Sequence, residues 1–325
     1  MKSTAVAPAN IAFIKFWGKK DPKLNLPFSN TLSVSLDNIF SITSVEFQKK
    51  LKKDDIEIDG EKNLEESQRL INHLNTIRKM AGISEFAKVV SKNNFPNSSG
   101  LASSASGFAA LSLAGSKAAG LNLNEKQLSI LARLGSGSAA RSIPAGFVEW
   151  KKGTNNESSY AHTIFPSNHW DLSAIIVLIT QDKKAVSTTA GHDITTSSPF
   201  FKQRIKNLDK RVRAIKKTIL EKDIKRFGEL LEQECLEFVS MSLTATPYII
   251  YWEPTTIRVM KLCQKMRLDG LTPYFTMDAG PQPVIYCLKK DAKIIADKLN
   301  NTEGVMKTIT CSPTHGTKLI QDHLF

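Results

Sequence analysis

The amino-acid sequence predicts an α+β fold, and three features carry that expectation. Residues 31–48 (TLSVSLDNIFSITSVEFQ) alternate apolar and polar side chains, many of them β-branched, as a half-buried antiparallel strand or hairpin does. Asp171 to Thr180 (DLSAIIVLIT) is a continuous apolar run of the kind buried on both faces of a sheet. Strand-like and helix-like runs come in groups instead of alternating one for one, which argues against a doubly wound sheet.

The other elements follow in chain order, and the chain opens with β structure. Glu65 to Met80 is charged with helical spacing, and Lys88, Val89 and Val90 begin a short strand. Pro96, Ser98, Ser99 and Gly100 form a loop, after which Leu101 opens a stretch of small residues that reads as a buried helix. Asn124 with Gln127 makes a capping box for a helix through Leu134, which Gly135 stops. A second small-residue loop, GSGSAARS, comes next, and a second half of the chain begins near Asp171. Between Lys202 and Arg226 lie eleven basic and three acidic residues, with Phe201, Ile205, Leu208, Val212, Ile215 and Ile219 at helical spacing. That pattern predicts one amphipathic helix with a basic outer face. A further helix runs from Thr255 to about Met266, and strands at Tyr274–Met277 and Val284–Leu288 bracket the turn MDAGPQP.

Composition narrows the class. The 325 residues are 41% hydrophobic and 23% charged, enough for the core of one large domain or two intimate ones. Lys and Arg number 44 against 31 Asp and Glu, and the net charge of +13 suits nucleic acid, an anionic membrane or a polyanionic small substrate. No aromatic side chains interleave the basic helix to stack on bases, so it reads as a solvated face and no nucleic-acid partner is expected. Cys235, Cys263, Cys287 and Cys311 form no CxxC pair, which argues against a zinc site or a disulfide framework. No stretch approaches the roughly 18 to 20 apolar residues that cross a bilayer, and no signal-peptide core opens the chain. A cytoplasmic protein with no membrane partner is expected.

Two segments carry candidate chemistry. Pro96 to Ser106 is a Gly/Ser-rich turn entering a helix, whose free N–H groups and dipole favour a phosphate. It lacks the spacing of the Walker loop, and a serine-capped helix packed through small residues would look the same. Asp278 stands between a strand and a turn beside Ala279 and Gly280, where small neighbours let a substrate approach. An aspartate bonded to its own turn is the plainer alternative.

The pattern P-x-x-x-G-L-x-S-S-A, matched at Pro96, Gly100, Leu101, Ser103, Ser104 and Ala105, resembles the phosphate loop of the GHMP kinase superfamily. Four further segments, APANIAFIKFWGKKDPKLNLPFSNTLSVSL, ARLGSGSAARSIPAGFVEW, VSTTAGHDITTSSPFF and FTMDAGPQPVIY, resemble those of the diphosphomevalonate decarboxylase family, in the same order. The likeness spans Ala7 to about Leu288. It implies a GHMP kinase fold: an N-terminal lobe (1–170) like ribosomal S5 domain 2, with its phosphate loop at 96–106, and a C-terminal α/β sandwich lobe (171–325), around a deep cleft. It also implies a reaction. ATP phosphorylates the tertiary hydroxyl of mevalonate 5-diphosphate, phosphate leaves, and loss of CO2 gives isopentenyl diphosphate. Mg2+ would accompany ATP, and a homodimer is common in the family.

The resemblance also implies residue roles. Asp278 orients or deprotonates the acceptor hydroxyl, Arg141 and Asn10 face the substrate carboxylate and hydroxyl, and Lys15 neutralises charge. Lys19, Ser136 and Ser138 hold the diphosphate, with Phe16 and Thr189 also at the substrate. Asn94, Pro96, Ser98, Ser99, Gly100, Leu101, Ala102, Ser103 and Ser104 hold ATP. Trp17 reads as packed core. Two positions depart from the family: Phe16 replaces a tyrosine and His192 a methionine. The first removes a hydroxyl from the phosphate site; the second is either a proton carrier or a packed structural histidine. The alternatives are a decarboxylase of mevalonate 5-phosphate, a kinase of the tertiary hydroxyl that does not decarboxylate, and a non-catalytic RNA- or protein-binding relative with no need of Asp278.

Overall fold

A computed structural model describes residues 1–62, 64–95, 103–180, 186 and 188–325. Strand β1 (Lys2–Ile14) leads through a short hairpin, β2 (Lys19–Asp21) and β3 (Leu26–Pro27), into β4 (Thr31–Gln48). The alternating segment is therefore one 18-residue strand and not a hairpin. Its break in pattern at Asp37–Asn38 is absorbed by a bulge: Asn38 takes φ 57°, and the register against β1 shifts between Pro8 and Ala9.

β5 (Asp55–Ile58), helix α1 (Leu64–Ala81) and β6 (Phe86–Asn93) follow, then α2 (Ser103–Ala118) and α3 (Glu125–Gly135). The expected capping box opens α3, with Asn124 and Gln127 bonding each other's backbone at 2.9 Å. Gly137–Ser142 winds into a buried 3-10 helix where a loop was expected, because five of its six residues are Gly, Ser or Ala and can pack without bulk. β7 (Phe147–Trp150) and β8 (Ala161–Phe165) complete the first sheet along the early part of β4. Its main order is β13-β1-β4-β6-β5, where β13 is the late strand Lys318–Ile320, and it is antiparallel apart from β5 and β6.

The second sheet has the order β10-β11-β9-β12, built from β9 (Leu172–Leu178), β10 (Tyr274–Thr276), β11 (Val284–Leu288) and β12 (Lys307–Cys311). All of β9 is buried, as its sequence predicts, and its alternation shows why. Leu172, Ala174, Ile176 and Leu178 enter a core shared with Ile11, Phe13, Leu32 and Val34 of the first sheet. Ile175 and Val177 face the opposite core, with Val259, Cys263 and Ile295. Those last residues come from α7 (Pro254–Leu268) and α8 (Ala292–Asn300). The two sheets thus share one apolar seam, which fixes the functional elements across it.

A short helix α4 (Thr188–Ile194) precedes α5 (Phe201–Glu221) and α6 (Ile224–Leu243). The basic run is not one helix through Arg226: Lys222 turns left-handed at φ 56°, and Asp223 caps a new helix by accepting the Arg226 amide at 3.0 Å. Nor is all its charge outward, since Arg204 is fully buried and Arg211 largely so, both bound to Glu234. The last strand, β13 (Lys318–Ile320), returns to pair with β1, so the chain beyond residue 171 does not stay with the second sheet. All four cysteines are buried and unpaired. Among the described residues no helix is long and apolar enough to cross a membrane.

Candidate active site

Four sequence-predicted residues meet at the seam: Asn10 and Lys15 from β1 and its end, Arg141 from the 3-10 turn, and Asp278 from the loop after β10. Lys15 Nζ donates to Asp278 Oδ1 and to the Ala12 carbonyl, each at 2.8 Å. Lys15 is buried, while the Asp278 side chain keeps 23% exposure, so the pair opens to solvent through its carboxylate. Asn10 is oriented from both ends of its amide. Nδ2 donates to Ser142 Oγ at 2.8 Å and to the Ser138 carbonyl at 3.2 Å, and Oδ1 accepts from Arg141 Nε at 3.0 Å. Arg141 Nη1 donates to Thr31 Oγ1 at 2.8 Å. Burial pushes the Arg141 guanidinium down to about 10 while the Asp278 carboxylate pulls the other way, so it stays cationic at neutral pH.

The aromatic segment after β1 forms one wall. Phe16 lies 4.7 Å from Trp150 and 4.5 Å from His192, ring to ring. Gly137 is required beneath it, because a Cβ there would stand 2.5 Å from the Phe16 ring. Trp17 is core, as its size predicts: it is 5% exposed and donates Nε1–H to Thr195 Oγ1 at 2.6 Å. His192 is buried with its ring 4.5 Å from Phe16 and 4.7 Å from Trp17, which fits the packed reading of this histidine.

The predicted ATP loop is described only where it becomes helix. Pro96, Ser98, Ser99, Gly100, Leu101 and Ala102 lie outside the described residues, as does the side chain of Thr189. Ser103 and Ser104 open α2 and line a cavity of about 100 Å³ with Asn93, Arg69, Thr43 and Phe108. Ser104 Oγ stands 3.4 Å from Ser136 Oγ, joining the start of α2 to the turn that carries Ser138 and Arg141. Asn94 does not line this cavity: its side chain bonds the Asn38 carbonyl and the Phe40 amide, holding the β4 bulge, and the cavity has Asn93 instead. Lys19 is half-buried on β2, and burial lowers its pKa against the pull of Asp193, with Arg69 lowering it further. Arg69 is a cation that the sequence did not single out. It sits on a plain amphipathic helix, and only folding brings it to the Gly135 carbonyl, at 3.3 Å. Thr31, Ser142 and Glu234 were missed for the same reason.

Among the described residues no three His, Cys, Asp or Glu side chains are placed to hold a metal ion. Magnesium does not need such a cage, since it is commonly bound by one carboxylate or hydroxyl together with substrate phosphates. The hydroxyls of Ser103 and Ser104, which line the cavity at the start of α2, are donors of that kind.

The two-sheet architecture, with these polar and charged side chains gathered at its seam, is that of an enzyme of the GHMP kinase type. Residues 7–161 match the family model of the diphosphomevalonate decarboxylase-like N-terminal domain, and residues 174–320 match that of the mevalonate 5-diphosphate decarboxylase C-terminal domain. The chain belongs to the diphosphomevalonate decarboxylase family. It is 38% identical over 305 residues to the diphosphomevalonate decarboxylase of Debaryomyces hansenii, covering 87% of this chain and 79% of that one. It is similar in structure to the mevalonate diphosphate decarboxylase of Staphylococcus aureus, with TM-score 0.93, 38% identity and 98% of each chain covered. A second similar structure, MDDEF in complex with MVAPP, AMPPCP and magnesium, has TM-score 0.93, 36% identity and 99% of each chain covered.

Proposed function

We propose that the protein catalyses the ATP-dependent decarboxylation of mevalonate 5-diphosphate to isopentenyl diphosphate, CO2, ADP and phosphate. The observation that carries the reading is the 2.8 Å contact of Lys15 with Asp278, beside an Arg141–Asn10 pair already joined at 3.0 Å. Its family and the ligands named for MDDEF support it. Phosphoryl transfer asks a protein mainly for positioning and charge stabilisation. Asp278 orients the tertiary hydroxyl and takes its proton, and Lys15 draws charge from the phosphoryl oxygens as they approach. Arg141, with Asn10 at its Nε, grips the substrate carboxylate through its planar fork. As phosphate departs, the electron pair of the breaking C–C bond becomes the new double bond and CO2 is released. Lys19, Ser136 and Ser138 hold the diphosphate, and the cavity bounded by Ser103 and Ser104 receives the nucleotide with its magnesium.

The reading extends to organisation. It takes residues 1–170 as the N-terminal lobe and 171–325 as the C-terminal lobe, with β13 lent back to the first sheet, in a cytoplasmic homodimer. One observation favours a second substrate: the Phe16 ring, packed on Trp150 and His192, offers a phosphate no hydroxyl. The test is to supply ATP with either mevalonate 5-diphosphate or mevalonate 5-phosphate and to measure CO2 and ADP together. Equal ADP and CO2 from the diphosphate is the expected result. ADP without CO2 would make it a kinase, CO2 from the monophosphate alone would reassign the substrate, and no ADP at all would end the enzymatic reading.

A further inference from the structure

We infer that Glu234, clamped by Arg204 and Arg211, is a positioning residue that sets the catalytic Lys15 in place through its backbone amide. The inference rests on the role proposed above for Lys15. β1 makes its last ladder pair at Ile14, so the next amide needs another acceptor, and Glu234 Oε1 on α6 takes it at 3.1 Å. The ammonium of the same residue is held by Ala12 and Asp278. Lys15 is thus gripped at both ends, its amide by a helix and its ammonium by the loop after β10.

Glu234 itself cannot move freely. It is fully buried, and both of its oxygens are bound by the two terminal nitrogens of the fully buried Arg204. Arg211 Nη1 adds a third contact at 2.7 Å and reaches on to Glu237. Two cations and two carboxylates leave this cluster neutral. Burial alone would raise the Glu234 pKa, but the two guanidinium groups outweigh it and keep the carboxylate ionised.

Such a cluster is a poor source of stability, because desolvation consumes the Coulombic gain and apolar residues of equal volume often serve as well. What apolar residues cannot do is accept an N–H. The cluster therefore contributes geometry: it fixes where the chain leaves β1, and with it the place of an ammonium whose misplacement by about 1 Å can cost on the order of a hundredfold in rate.

Four variants of the full-length protein test the idea, each assayed for turnover with ATP and mevalonate 5-diphosphate and for Tm. Glu234→Leu with Arg204→Leu removes one charge of each sign and keeps the volume apolar, but leaves the Lys15 amide without its acceptor. Its kcat should fall roughly 10- to 100-fold with both KM values within about twofold, while Tm stays near that of the parent. Glu234→Gln keeps an acceptor oxygen but unbalances two buried arginines, so its Tm should fall further while kcat drops less than about threefold. A merely structural cluster would instead make turnover follow Tm, and that ranking overturns the inference, as does parental kcat in the double variant. Should the double variant not fold, Arg204→Lys decides, since it keeps the charge and loses the fork; parental kcat there is equally fatal. Lys15→Met separates the two layers. If it turns over normally, the site reading falls and this inference with it; if it is inactive while the double variant is not, only the positioning role is lost.

Discussion

Asp278, at 23% exposure, is the open end of the Lys15 pair, and in the proposed reaction it is the proton acceptor. Asp278→Asn keeps the shape and removes the proton acceptor, so kcat should fall by about 10²- to 10⁴-fold while the dissociation constant for ATP changes little. Equilibrium ATP binding and single-turnover CO2 release measure the two arms, and turnover like the parent's would refute the assignment. His73 bears on stability. Its Nε2 meets Ser112 Oγ at 2.9 Å, and that hydroxyl donates to the Phe108 carbonyl, so Nε2 is the protonated nitrogen. Nδ1 has no partner among the described residues, and burial lowers the imidazole from 6.5 to about 4. The folded state thus resists a proton that the unfolded chain accepts. The stability this withholds is nil above about pH 6.5, grows as pH falls, and levels out at about 3 kcal/mol below about pH 4. His73→Gln, which still donates to Ser112, should flatten that part of the urea midpoint's pH dependence; an unchanged slope would show that other groups cause it.

At the scale of elements, the short-range signals were the readable ones. The Asn124–Gln127 box, the fully buried β9 and the strand Val284–Leu288 stand where the sequence puts them, since each rests on neighbours within a few residues. The basic run was misread as one helix because its apolar period continues to Ile219 while the cap at Asp223 hides among charges. Asp223→Ala should destabilise the protein by about 1 kcal/mol and Asp223→Asn hardly at all, as chemical denaturation would show. Equal midpoints for the two would mean that the break is set by packing and not by the cap. The 3-10 turn at 137–142 escaped for a different reason. Its sequence is that of a loop, and it becomes helical because its small residues are pressed against α2 and α3.

On the scale of the whole molecule, the ends of the chain meet. β13 pairs with β1 through Thr4 and Ile320, and Lys2 Nζ reaches the Phe325 carbonyl at 2.6 Å. Deleting residues 317–325 bares a long edge strand, so the variant should lose stability and associate at concentrations where the parent does not. Light scattering and Tm check this, and a variant unchanged in both would make the strand dispensable. Sequence by itself determined the α+β class and the kinship carried by Pro96, Gly100, Arg141 and Asp278. These are legible because periodicity, small-residue turns and motif spacing are properties of neighbouring residues. Only the tertiary structure decided that Lys15 touches Asp278, 263 positions away, and that Glu234 holds the same lysine across 219. A strand's end and a distant helix meet because apolar faces of two sheets bury each other, and no local pattern records which partners that burial brings together.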